Sequence, residues 1–114
     1  KILFEMIEKG EVSAVISVVS IAEVMQGALK KGLIQNALEV KKYLMNFPNT
    51  YCQATTNDVL EHIGKDLTID WPHLRVIDSL IIASGIINSV NLIVSNDIHF
   101  KKALPLDFTL TFDT

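Results

Sequence analysis

Residues 76 to 87, Val-Ile-Asp-Ser-Leu-Ile-Ile-Ala-Ser-Gly-Ile-Ile, carry a single charged side chain, Asp78, in a segment that is otherwise almost wholly apolar. A helix of this composition has no wet face to offer, so it must be buried on most sides within a layered fold. The chain has 114 residues, 49% of them hydrophobic and 20% charged. That is enough to build one core and suits one domain spanning residues 1–114 rather than two. The longest unbroken apolar stretches, such as residues 80–83, fall far short of the ~20 residues that a bilayer span needs. One cysteine, Cys52, excludes an internal disulfide and fits a reducing, cytoplasmic setting, and no export signal is apparent. The net charge of −3 counts against nucleic-acid binding by bulk positive charge.

Helix and strand signals alternate along the chain. Leu3, Met6 and Ile7 share a helical face, and Gly10 suits the end of that helix. Residues 12–17 form a β-branched run of strand type. Ser20 can cap a helix with Ile21, Val24, Met25 and Ala28 at helical spacing. A second helix is expected over 33–47, with Ile34, Leu38, Leu44 and Met45 inward, Lys41 and Lys42 outward, and Pro48 after it. Residues 50–54 are a further strand candidate, and Thr56 or Asn57 caps a helix through Val59, Leu60 and Ile63. Residues 70–73 read as a loop, the apolar helix follows from 76 to about 88, and strands are expected at 91–95 and 108–112. This order predicts an α/β fold, a three-layer α/β/α sandwich with a mostly parallel central sheet. The runs 14–16 and 92–94 fit strands covered on both sides. Lys1 lies inside the first helix with no capping residue before it, so an upstream segment is expected.

In an open α/β sheet, ligands bind beyond the carboxyl ends of the strands. Three acids lie there: Glu23 after the first strand, Asp78 in the first turn of the buried helix, and Asp97 just beyond residues 91–95. Each has a structural alternative. Ser20-Ile21-Ala22-Glu23 matches a capping box, Asp78 could complement the helix dipole, and Asp97 could form an Asn-Asp turn. Asp78 weighs most, because an ionised carboxylate in so apolar a helix is costly unless paired or bound to a cation. Basic partners are few: Arg75 is the sole arginine, and Lys101 and Lys102 follow Asp97. Three acids without Cys or clustered His suit a hard divalent ion, Mg²⁺ or Mn²⁺.

Three segments carry a family resemblance. Residues 17–27, Ser-Val-Val-Ser-Ile-Ala-Glu-Val-Met-Gln-Gly, resemble the S-x-x-[ST]-x-x-E-x-x-x-G segment of PIN domains. Residues 78–83, Asp-Ser-Leu-Ile-Ile-Ala, are similar to their D-[AS]-L-I-[AI]-A helix start. Residues 92–100, Leu-Ile-Val-Ser-Asn-Asp-Ile-His-Phe, are similar to their L-x-V-[TS]-x-D-x-x-F segment. All three fall in order over almost the entire chain, and the nearest sub-family is the short VapC-type toxin ribonuclease.

The resemblance implies a metal-dependent endoribonuclease acting on RNA, the toxin of a toxin–antitoxin pair. Glu23, Asp78 and Asp97 would hold Mg²⁺ or Mn²⁺, and Ser95 would support the site. A cognate antitoxin and a homodimer are implied as partners. The family's first Asp lies at the end of an N-terminal strand that has no counterpart in this sequence, so the domain is expected to be N-terminally incomplete. The alternative is a non-catalytic PIN-like RNA-binding or scaffold module.

Other features have structural explanations. His62, His73 and His99 are too scattered for a ligand set and are expected on surface or loop positions. Trp71 beside Pro72 is expected to seal a core edge rather than stack on a base. The pairs Lys30-Lys31, Lys41-Lys42 and Lys101-Lys102 suit either phosphate contacts or solvated helix faces. Cys52 suits a small buried hydrophobe. A generic flavodoxin- or receiver-type ligand binder lacks support, since there is no Gly-rich phosphate loop.

Overall fold

The computed structural model describes residues 2–95, 102–104 and 109–110. The chain divides into two compact units, Lys1–Ala54 and Thr55–Thr114. Both are α/β in character, and each contains one pair of parallel strands.

In the first unit, helix α1 (Ile2–Glu8) leads to strand β1 (Ala14–Ser17), helices α2 (Val18–Lys30) and α3 (Ile34–Met45), and strand β2 (Thr50–Gln53). α1 closes in a Schellman turn: Glu11 N–H donates to Met6 O at 2.9 Å and Gly10 N–H to Ile7 O at 3.0 Å. Gly10 supplies the left-handed conformation that this turn needs, at φ +79°. β1 passes into α2 with no intervening residue, because Ser17, still extended, accepts a hydrogen bond from Val19 N–H on its Oγ at 3.1 Å. The helix therefore starts earlier than its Ser20 cap signal predicts. α2 and α3 pack on one another, and the chain returns to place β2 parallel to β1, with Ala14 opposite Thr50 and Ser17 opposite Gln53.

The orientation of α3 differs from expectation. Ala37 is its buried residue, while Ile34, Leu38 and Met45 are exposed and Leu44 is half-buried. At 100° per residue, Ala37 and Leu44 lie roughly a quarter-turn from the stripe of the other three. Small Ala37 marks the buried side, so close helix approach decides the inward face rather than residue size. Beyond α3, buried Phe47 packs edge-on against Phe4 and tilted against Tyr43, with ring centroids 5.5 and 5.3 Å apart. Asn49 Nδ2–H then donates to Ile7 O at 2.8 Å, tying the start of β2 to the end of α1.

In the second unit, helix α4 (Asn57–His62) is capped by Thr56, whose Oγ1 accepts from Val59 N–H at 3.4 Å. The expected loop at 70–73 contains a 3₁₀ turn, Trp71–His73, with Pro72 inside it. Helix α5 (Val76–Ile87) follows, then strand β3 (Ile93–Val94), which pairs in parallel with strand β4 (Thr109–Leu110). Ile69, Ile82, Ile93 and Leu104 form the core, with Trp71, Leu74, Ile81, Ile86 and Val90 against it. Trp71 thus seals a core edge, and its Nε1–H donates to Asp66 O at 2.8 Å. A Cβ on Gly85 would meet Val90 Cγ2 at 3.0 Å, so the missing side chain lets Val90 sit against the helix.

Burial of the strands is lighter than their apolar runs predict. Residues 14–16 are only half-buried and Leu92 is exposed. Among the described residues β1 pairs with β2 and β3 with β4, so each strand has one covered hydrogen-bonding edge. No helix among the described residues is long and apolar enough to cross a membrane.

Candidate functional site

α2 carries Glu23 as its sixth residue, exposed to solvent. A capping-box role does not hold, because the cap is Ser17 and Ser20 is already within the helix. Among the described residues the Glu23 carboxylate has no hydrogen-bond or ion-pair partner.

Asp78 presents the opposite environment. It is the third residue of α5 and is 1% exposed. Arg75 occupies the N-cap position of the same helix but gives no side-chain cap to its backbone. Instead its guanidinium grips the carboxylate with two parallel bonds, Nε to Oδ2 at 2.9 Å and Nη2 to Oδ1 at 2.8 Å. The arginine side chain remains 60% exposed, so the pair runs from the interior to the surface. Position three of a helix also favours an anion through the backbone dipole. The pairing meets the cost of burying Asp78 in one of the two ways, an ion pair or a cation, that the residues leave open. The i, i+3 spacing to the chain's single arginine is the signal for it.

Ser95 directly follows the two-residue strand β3 and is half-buried. Asp97 lies outside the described residues, as do His99 and Lys101. Glu23 belongs to the first unit, and Asp78 and Ser95 to the second. Among the described residues, no three His, Cys, Asp or Glu side chains cluster as a metal site would need.

The remaining histidines serve local structure. His62 Nδ1 donates to Asp58 O at 2.8 Å, one helical turn back. His73 Nδ1 sits 2.9 and 2.8 Å from the two Asp70 oxygens, an exposed pair not anticipated from the sequence. The hydrogen bond that His73 donates to Asp70, followed by the carboxylate's charge, raises the pKa of His73 above the ordinary histidine value. Nearby, Asp66 Oδ1 accepts from the Thr68 hydroxyl at 2.6 Å and from Thr68 N–H at 3.0 Å. These bonds, the hydroxyl's first, hold the Asp66 carboxyl below the usual carboxylate range. Asp66 thereby orders the turn whose carbonyl receives the Trp71 indole.

No protein-family model and no curated protein matches the sequence. The fold does find a counterpart. A chain from the crystal structure of VapBC2 from Rickettsia felis bound to a DNA fragment from their promoter aligns with a TM-score of 0.68. The alignment covers 96% of this chain and 82% of that one, at 19% identity. At that identity the likeness shows a shared α/β fold.

Proposed function

We propose that this chain is a Mg²⁺- or Mn²⁺-dependent endoribonuclease that hydrolyses RNA phosphodiester bonds, acting in the cytoplasm as the toxin of a toxin–antitoxin pair. The observation that carries this reading is the buried carboxylate of Asp78 in the first turn of apolar α5. It is joined by the fold shared with a chain of the VapBC2 assembly. Glu23, Asp78 and Asp97 would hold the ion, with Ser95 as a supporting hydroxyl. This all-oxygen donor set suits a hard dication. A bound dication would stabilise phosphodiester charge and lower the pKa of a water to make a nucleophile at neutral pH. The chain's own contributions are distinct: Glu23 offers an exposed carboxylate from α2, while Asp78 offers one fixed in place by its helix and by Arg75. A protein antitoxin and a second copy of the chain are the proposed partners.

The test is RNA cleavage with Mg²⁺ and with EDTA, in the native protein and in Asp78→Asn. Cleavage that survives both EDTA and the substitution would sink the reading. A second reading, a non-catalytic RNA-binding or scaffold module, draws on the Arg75–Asp78 pair, which balances the buried charge by itself. RNA retention by the native protein without Mg²⁺-dependent cleavage, unchanged in Asp78→Asn, would favour that module.

A further inference from the structure

We infer that the groove between α2 and α3 docks an acidic amphipathic helix of a partner protein, with an apolar side chain of that helix seated over Gly27 and a carboxylate set against Lys31. This docking is independent of the proposed catalysis. Val24, Gly27 and Lys31 stand at i, i+3 and i+7 on one face of α2 and its C-cap, and Leu33, Asn36 and Val40 line the facing wall from α3 and its N-cap. Val24 and Leu33 are 49% and 46% exposed, so apolar walls stand open to water.

Gly27 is the residue that the fold leaves unexplained. Glycine weakens a helix interior relative to alanine. Its φ here is not left-handed, and a Cβ on it would meet no atom within 4 Å. Gly85 of α5, by contrast, makes room for Val90. The space over Gly27 has no such occupant from the chain's described residues, and a partner's side chain would fill it. Charge selects the partner. Lys31 is the one charged residue lining the groove, and Lys30 precedes it. Neither ion pair among the described residues involves Lys31, so an incoming carboxylate meets a cation without displacing another bond. The lining carries no aromatic ring on which a nucleobase could stack, which favours protein over RNA. A helix laid along the groove would present its apolar face in the usual i, i+3, i+4 pattern.

The experiment titrates the full ¹⁵N-labelled chain with two amphipathic helical peptides that share a leucine face and differ in its flanks, glutamate in one and lysine in the other. Fluorescence anisotropy gives the affinities and amide shifts locate the binding. The glutamate peptide should bind about tenfold tighter or more, with shifts concentrated on residues 24–40. Gly27→Leu fills the seat and should weaken that binding roughly tenfold, the loss of one buried apolar side chain. Lys31→Glu should reverse the preference toward the lysine peptide. Should Gly27→Leu fail to fold by circular dichroism, Gly27→Ala, a better helix former, takes its place and should still weaken binding. A glutamate peptide that does not bind, that binds no better than the lysine peptide, or that binds the folded Gly27 variant as tightly as the native chain overturns the docking site. A native dimer that Gly27→Leu dissociates, or an RNA oligonucleotide that shifts these amides where the glutamate peptide does not, gives the groove another occupant and overturns it equally. Mg²⁺-dependent RNA cleavage by the native protein is scored separately, and its absence would sink the catalytic reading while leaving the docking site standing.

Discussion

α2 and α5 solve the same problem in different ways. Each carries an acid within two turns of its N-terminus, yet α2 is started by a local cap from Ser17 and leaves Glu23 exposed to solvent. α5 has no side-chain cap and buries Asp78 under an arginine fork. Their C-termini also differ. α2 ends in a Schellman turn with Gly32 in the left-handed region, at φ +76°. α5 ends in the same turn with Ser89 there, at φ +55°. The contrast teaches that α2 is stabilised by local chain chemistry, whereas α5 relies on burial and one ion pair and tolerates poorer local choices.

The sharpest way to break this comparison is Arg75→Ala. It leaves a buried carboxylate unpartnered, and with the arginine itself largely exposed the loss should be about 2–3 kcal/mol, below the range for fully buried pairs. Urea unfolding would measure it, and a loss under about 0.5 kcal/mol would show that the pair does not support α5. Ser17→Ala, the equivalent insult to α2, should cost about 1 kcal/mol through loss of the cap alone. At the other end of α5, Ser89→Gly should stabilise by about 0.5–1 kcal/mol by relieving the left-handed serine. Smallest of the stability effects, Glu23→Gln should stay within about 0.5 kcal/mol of the native protein, because no described group depends on that carboxylate. If Glu23 is a ligand as proposed, the same variant should nevertheless weaken Mn²⁺ binding.

The pH dependence sharpens the comparison within the second unit. Since His73 gains its partner on folding, its pair contributes stability fully below the ordinary histidine pKa and loses it as pH rises through the raised folded value. Asp66 behaves oppositely, contributing above the ordinary carboxylate pKa and losing it as pH falls through the lowered folded value. An NMR titration should show the His73 midpoint above the ordinary value and returned toward it in Asp70→Asn. No change in that variant would remove Asp70 as the cause.

Much of this architecture is legible in the residues. The order of helices and strands follows from apolar periodicity and from punctuation at Gly10, Pro48 and Thr56. Less legible was which stripe of α3 turns inward, since Ile34, Leu38 and Met45 advertise a face that packing against α2 leaves exposed. Ser20 and Glu23 spelled a capping box, yet the extended Ser17 reached the helix first. Asp78 stood out because so apolar a helix makes one charge conspicuous. Its partner lay three residues away, but a sequence cannot say whether an arginine or an ion meets a buried carboxylate. Asp97 lies outside the described residues, and its place in the acid set comes from its position just beyond the 91–95 strand and from the resemblance.

The pairing of β1 with β2 has a consequence for the order of folding. Every register partner of β1 lies beyond the whole of α2 and α3, so this ladder closes only after a long intervening loop is drawn in. The helical hairpin, built from near-neighbour contacts, is then expected to form first and carry the strands together, making β1–β2 closure the slow event of the first unit. Ser17 stands at the join of the two, capping the early helix with the last residue of the late strand.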